Sequence, residues 1–470
     1  MTPELATLIV VGAFIALLMF ECPIFISLTA AGALGVYLLR DDMIVTAVLG
    51  DTPYTATSSY TLSIIPMYIL LGMFVLHGRL AERLFIVAAH VFRRIPGGLG
   101  VATVAACAGF AAVCGSSVAT AATVGKVSIL EMRKRGYPSP FAGGIVAAAG
   151  TLGVLIPPSI LLVLYGVLAS ESIQGLLLAG IGPGILTTLA YITVTVVIAR
   201  KVVATPDTPD SLADVLPDVT AASRPASVQT AQSTATETLV DVPQQTSRWP
   251  LIRAVSWIGL IFAVIILGIY SGIFTVVESA AVAAVVALVM MIVESWSGGM
   301  RRGLRKLLDA AEEAAAVTSM SFAIMVGAMV LTFFLVLGQV PTHLTTWVLG
   351  MDLPPTLVII ALLLLLVPMG MFLESLSLLV IFVPLTHPLV VTLGFDGIWY
   401  GLLVVKLIEL SLITPPVGMN VFVVAGTSNI PPEKLFRGVL PFVAAEAVVI
   451  SLLIAFPAIT LWLPSTVGSA

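Results

Sequence analysis

LGVLIPPSILLV, residues 152 to 163, and LSLITPPVGMNV, residues 410 to 421, are the two stretches that decide how this chain folds. Each sets a proline pair in the middle of an apolar run, and Pro157-Pro158 stands 258 residues before Pro415-Pro416. At the same offset Gly180 meets Gly438, Pro183 meets Pro441, Val163 meets Val421 and Leu177 meets Leu435, while the polar break at Ser116 falls on Glu374. A proline inside a helix removes a backbone donor and frees a carbonyl one turn upstream, so each pair interrupts its helix. Membrane proteins built from one design used twice, with broken apolar segments in corresponding places, are typically secondary transporters whose binding site lies where the breaks meet.

Composition places the chain in a lipid bilayer. Of 470 residues, 59% are hydrophobic and 10% charged, against roughly 25% charged in an ordinary soluble domain; the mean hydropathy is +1.13. Apolar runs of about 17 to 25 residues recur along nearly the whole length, enough to cross or nearly cross about 30 Å of hydrocarbon. The first, Leu5 to Phe20, lacks a basic leader and a small-residue cleavage site, and reads as a retained helix. Cys22, Cys107 and Cys114 lie in apolar segments and make no disulfide framework. The net charge of −4 is concentrated in the middle of the chain and implies no nucleic-acid partner. The fold class expected is an all-α polytopic membrane protein.

Residues 204–249 break the apolar pattern, being rich in Thr, Ser, Ala, Pro, Gln and Asp. Such a segment cannot bury enough apolar surface to offset its ordering entropy, and is expected to be a disordered cytoplasmic linker. It divides a first repeat, 1–203, from a second, 250–470.

Basic residues set the topology. Arg79, Arg83, Arg93 and Arg94 precede one apolar stretch and Arg133, Lys134 and Arg135 follow it; Arg200, Lys201, Arg248 and Arg253 flank the linker, and Arg301, Arg302, Arg305 and Lys306 form another cluster. By the positive-inside rule all face the cytoplasm. The stretch 95–132 therefore starts and ends on one side although it holds two apolar runs, and should be a re-entrant helical hairpin. With the N-terminus outside, helices near 5–20, 23–39 and 61–78, the broken helix 140–169 and a helix at 174–199 make five crossings. The second half then runs inverted: 251–270, 276–294, 312–337, a hairpin at 357–394, a broken helix at 397–427 and a helix at 439–462. The two hairpin tips approach each other from opposite faces, and irregular backbone there is tolerable only where it lines a protein cavity.

The tips carry the chemistry. Gly115-Ser116-Ser117 interrupts a helix with small, hydroxylic residues, and Ser159 follows the first proline pair. Freed carbonyls and hydroxyl oxygens suit a hard monovalent cation such as Na⁺, while exposed helix N-termini attract a carboxylate. The second half repeats the arrangement with Glu374-Ser375 and with Thr414 to Asn420. A charge in mid-membrane is costly unless paired or coordinating an ion, which makes Glu374 a functional residue by default. Thr120 and Thr123 can equally bond to the backbone one turn earlier. Glu409 lies three residues after Lys406, on one helical face, and reads as its structural ion-pair partner. The four histidines show no ligand spacing and suggest no metal site, and no P-loop or nucleophile elbow points to a pump or enzyme.

Residues 115–166, "GSSVATAATVGKVSILEMRKRGYPSPFAGGIVAAAGTLGVLIPPSILLVLYG", with "ASESIQGLLLAGIGPGIL" (169–186), "IELSLITPPVGMNVFVVAG" (408–426) and "PPEKLF" (431–436), resemble the large membrane subunit of TRAP transporters, the tripartite ATP-independent periplasmic type. The resemblance spans nearly everything outside the linker. It implies a subunit of the bacterial inner membrane that imports a small organic acid, a C4-dicarboxylate or another carboxylate, on a Na⁺ gradient. The motion implied is an elevator-like movement of a transport domain against a scaffold. It implies two partners, a separate small four-helix membrane subunit and a periplasmic solute-binding protein that delivers the substrate. Carried over, the first Na⁺ site involves Gly115, Ser116 and Ser159, and the second Glu374, Thr414, Pro415 and Gly418. Substrate lies between the tips, near Ser117, Thr120, Ser375 and Asn420. Cys114 stands where many relatives place a hydroxylic residue, and Glu374 where an aspartate is common. A stand-alone Na⁺/carboxylate symporter and, more remotely, an ion channel are the alternatives.

Overall fold

The computed structural model describes residues 2–40, 42–202, 248–295 and 300–467. Of the expected linker only 248 and 249 fall among them, in the first turn of a helix rather than in a tether; the remainder lies outside the described residues. All regular structure in the described residues is helical. The first half runs α1 (Pro3–Met19), α2 (Ile24–Leu39), α3 (Asp42–Ser58), α4 (Ile64–His77), α5 (Leu80–Val91), α6 (Gly98–Cys114), α7 (Ser117–Lys134), α8 (Ser139–Gly150), α9 (Leu152–Leu155), α10 (Ile160–Ala169), α11 (Ile173–Ala179) and α12 (Ile181–Val202). The second runs α13 (Arg248–Tyr270), α14 (Val276–Ser295), α15 (Met300–Leu337), α16 (Val340–Leu349), α17 (Pro355–Gly370), α18 (Ser375–Thr392), α19 (Gly397–Ser411), α20 (Met419–Ser428), α21 (Pro432–Ala455) and α22 (Ala458–Val467). Among the described residues seven helical runs are long and apolar enough to cross a bilayer, eight if α8 to α10, bent by 44° at Pro157-Pro158, counts as one.

Both halves present the same order of elements: a helical hairpin, α6–α7 or α17–α18, then a broken helix, α8 to α10 or α19–α20. Helices α6 and α7 together cover 98–134, and α17 and α18 cover 355–392. Several other expectations need correcting. The span read as 312–337 is a 38-residue helix starting at Met300, because its charged first turns continue the helix beyond the apolar run. The span read as 439–462 is two helices that break at Phe456-Pro457, where proline cannot donate its N–H. Helices α3, α5 and α16, between the expected crossings, have too many polar residues or too few turns to show in an apolar window.

The broken elements interlock across the halves. Helix α8 packs along α21, α7 against α8 and α20, and α10 against α18 and α19. Glycine permits the closest of these approaches: a Cβ on Gly438 would collide with the Pro140 carbonyl. Around this centre α15 packs along α2 and α4, and α4 along α14. At one end the basic residues meet: Glu294, whose side chain is nearly fully buried, pairs with Arg83 and also with Arg253 at 2.6 Å, tying α14 to α5 and α13. His77 lies 3.1 Å from Glu313 at the same ends of α4 and α15.

Candidate functional site

Four helices start at one cavity of about 350 Å³. Its lining includes Ser117, the first residue of α7, Ile160 of α10, Ser375 of α18 and Met419 of α20. Local sequence explains each start. Gly115 ends α6 in the left-handed region, φ +64°, which costs a glycine little. Ser116 then caps α7, its hydroxyl accepting from the Ala119 N–H at 3.4 Å. Ser159, directly after the first proline pair, caps α10 by accepting from the Leu162 N–H at 3.2 Å. In the second half Gly418, φ +48°, precedes α20, and Glu374 precedes α18 with its carboxylate free of any capping bond. Both proline pairs, Pro157-Pro158 and Pro415-Pro416, have cis peptide bonds.

A helix N-terminus presents unsatisfied N–H groups and the positive end of the peptide dipoles, so helices that start at one cavity favour an anion there, although Ser116 and Ser159 already accept from one N–H each of α7 and α10. The formal charges on the wall have the opposite sign. Glu374 and Glu409 line the cavity, and none of the lining residues is Lys, Arg or His. The rest of the wall is small or apolar, with Cys114, Val154, Leu161 and Leu412 among its members.

Of the residues singled out in the sequence, Gly115, Ser116, Ser117, Glu374 and Ser375 line this one cavity, although they come from hairpins more than 250 residues apart. Ser159 and Pro158 lie against the first tip: a Cβ on Gly115 would come within 2.8 Å of the Pro158 carbonyl oxygen. Thr120 is fully buried and its hydroxyl donates to the Ser116 carbonyl at 2.7 Å, so it holds the tip from behind. Thr414 is half-buried and donates to the Leu410 carbonyl at 2.7 Å; Pro415 is exposed and Gly418 buried, and none of the three is in the lining. Asn420 is fully buried behind the wall, with neither atom of its side-chain amide hydrogen-bonded. The breaks also differ in exposure, since Pro157 and Pro158 are buried whereas Pro415, Pro416 and Val417 are open.

One sequence assignment is corrected. Lys406 pairs not with Glu409 but with Glu446 of α21, 2.5 Å away, and donates to the Thr187 hydroxyl of α12 at 2.6 Å. Spacing of three residues aligns two side chains on one face, but Lys406 points to the neighbouring helices, leaving Glu409 to the cavity. Glu446 itself escaped notice; the signal available was a lone carboxylate in the apolar run VAAEAVVIS.

The chain matches the family model described as "Tripartite ATP-independent periplasmic transporter, DctM component" over residues 11–459. The C4-dicarboxylate TRAP transporter large permease protein DctM of Pseudomonas aeruginosa is 34% identical to it over 445 residues, 94% of each chain. The sialic acid TRAP transporter large permease protein SiaM of Vibrio cholerae is 30% identical over 409 residues, 86% of each. Among solved structures, the YdaH transporter of Alcanivorax borkumensis is similar with a TM-score of 0.62, covering 90% of this chain and 91% of its own at 15% identity, a likeness of fold. Matched from the first helix to the last, this multi-pass membrane protein belongs to the DctM family, the large permease component of tripartite ATP-independent periplasmic transporters.

Proposed function

We propose that this chain is the translocating subunit of a Na⁺-coupled importer of a small organic acid in the bacterial inner membrane. The observation that carries the reading is the meeting of four helix N-termini at one cavity of about 350 Å³ between the hairpins, a volume suited to a small molecule. The substrate carboxylate takes its place against those N–H groups, with the hydroxyls of Ser117 and Ser375 beside it, Thr120 bracing the first tip and Asn420 behind the second. A C4-dicarboxylate-like acid is the first choice of substrate, in keeping with the name of the Pseudomonas relative. A coupling cation answers the carboxylates on the wall. One Na⁺ is held by Gly115, Ser116 and Ser159, and a second by Glu374 with the break at Thr414, Pro415 and Gly418. Oxygen donors of this kind suit a hard cation, and an intramembrane carboxylate is otherwise costly to keep charged.

The two halves are read as inverted repeats, 1–203 and 250–470, whose interlocked hairpins and broken helices move as a transport domain against the surrounding scaffold in an elevator-like cycle. A separate small four-helix membrane subunit and a periplasmic solute-binding protein complete the assembly. The test is uptake into vesicles holding the chain and its small subunit. A loaded binding protein together with an inward Na⁺ gradient should drive accumulation, and leaving out either should stop it. Accumulation without the binding protein would make the chain part of a stand-alone symporter instead, and steady current across a planar bilayer would make it a channel.

A further inference from the structure

The base of the first hairpin, away from the tips, borders a separate cavity of about 190 Å³. Its walls are Ala89 of α5, Arg93 just past that helix, Gly98 and Leu99 of α6, and Arg135 and Tyr137 of the turn from α7 into α8. Two guanidinium groups from separate segments thus line one small volume that holds no carboxylate. Neither is in an ion pair among the described residues. Glu131, the carboxylate one turn before Arg135, is held by Lys134 at 2.9 Å. Tyr137 is 6% exposed, and its hydroxyl accepts from the Gly100 and Leu99 N–H groups in the first turn of α6. Those helix-end donors are satisfied by the hydroxyl, which keeps its own proton to donate.

The second half shows what this turn needs in order to fold. Gly136 at φ +80° and Gly394 at φ +84° stand 258 residues apart in the same bend. The Tyr137 N–H donates to the Met132 carbonyl at 3.1 Å, as the Phe395 N–H does to Val390 at 3.2 Å. Tyr137 stacks on Phe141 with ring centroids 6.2 Å apart, and Phe395 on Trp399 at 5.4 Å. Backbone and rings repeat, but at that offset Arg93, Arg135 and Tyr137 are answered by Met351, Leu393 and Phe395. The turn therefore forms without either arginine or the hydroxyl. The positive-inside rule gathers cations on one membrane face, but it does not require two of them to share a cavity.

Two guanidiniums without a counter-ion repel each other, and an oxyanion between them turns that repulsion into two attractions. Their forked donors match a phosphate, with the Tyr137 hydroxyl a further donor. A volume of about 190 Å³ holds a phosphate group, whereas drug-sized ligands take about 300–1,000 Å³. Val91 and Ile95, on either side of Arg93 in the chain, are 63% and 40% exposed, and Leu130 near the end of α7 is 49% exposed. Apolar surface beside paired cations suits a ligand with a charged head and hydrocarbon tails.

We propose that this cavity binds the phosphate of an anionic phospholipid from the adjoining leaflet. The headgroup bridges Arg93 and Arg135 and takes the Tyr137 proton, tying the end of α5 to the α7–α8 turn, while the acyl chains lie along Val91, Ile95 and Leu130. Basic pockets between membrane helices recognise anionic headgroups in this way.

Native mass spectrometry of the purified full chain in a neutral detergent, titrated with phosphatidylglycerol, tests the site without any transport assay. The expected result is one phosphatidylglycerol retained per chain under conditions that strip phosphatidylcholine. Its affinity should fall about fivefold in Arg93→Gln and in Arg135→Gln, and about thirtyfold in the double variant. Tyr137→Phe, the residue the second half already carries, should cost about threefold. Arg94→Gln, next in the chain but outside the lining, should change nothing. Equal affinity in the parent and the double variant would overturn the proposal, as would equal retention of phosphatidylcholine. Displacement of the lipid by millimolar inorganic phosphate would make this a site for a free anion and overturn the lipid assignment.

Discussion

Replacing Lys406 by methionine removes the cation from the buried pair while keeping nearly the same length of apolar stem. The ammonium lies 2.5 Å from Glu446 and 2.6 Å from the Thr187 hydroxyl, with Lys406 2% and Glu446 1% exposed. Water cannot take over the role of the lost charge at that depth. Removing one partner of such a pair costs about 3–5 kcal/mol, most of it the desolvation of the ion left behind. Removing both costs far less, since a buried pair replaced by apolar groups of similar volume is often neutral or stabilising. The expectation is a loss of about 3–5 kcal/mol for Lys406→Met, with most of it regained in Lys406→Met/Glu446→Leu, read by equilibrium unfolding in mixed micelles and closed as a double-mutant cycle. A single-variant loss under about 1 kcal/mol, or a double variant no more stable than the single, would refute the reasoning that this pair is dry and mutually compensating.

Glu374→Ala should abolish Na⁺-dependent uptake while leaving assembly with the small subunit intact; retained Na⁺ dependence would remove Glu374 from the second ion site. Gly115→Ala forces a side chain into φ +64° and sets its Cβ 2.8 Å from the Pro158 oxygen, costing about 1–2 kcal/mol from the backbone alone. Uptake should fall while the chain still inserts, and unaltered uptake would show that the tip geometry is not needed. Gly438→Val should prevent α8 from closing on α21 and sharply reduce the monodisperse fraction on size-exclusion chromatography, whereas Leu440→Ala, at a position 53% exposed, should leave it unchanged. Equal yields from the two variants would mean the α8–α21 approach is not close.

The parts of the fold legible in the sequence are those the bilayer itself enforces. Pro157-Pro158 and Pro415-Pro416 announce broken helices because no intact helix accommodates them. The parts that were not legible answer to the protein's own interior. Helix α5 carries polar residues between its apolar positions, so it is invisible to a window tuned to a continuous apolar run. The start of α15 is hidden in the same way by the charged residues from Arg301 to Glu313. Ser116, Ser117, Glu374 and Ser375 were singled out as polar groups at helix interruptions, and all four line one cavity. Glu409 was not, since periodicity places it on the Lys406 face and cannot tell which of several packed helices receives each side chain. Thr120 shows the same limit from the other direction, since its hydroxyl turns to the Ser116 carbonyl.

The account stands or falls on the two hairpin tips sharing one water-accessible cavity. In a chain with Cys22, Cys107 and Cys114 replaced by alanine, single cysteines at Ser116 and at Ser375 should both react with a membrane-impermeant maleimide, and Na⁺ should slow both reactions together. A cysteine at either position that stays unreactive, or reactions that Na⁺ leaves unchanged at both, would contradict it.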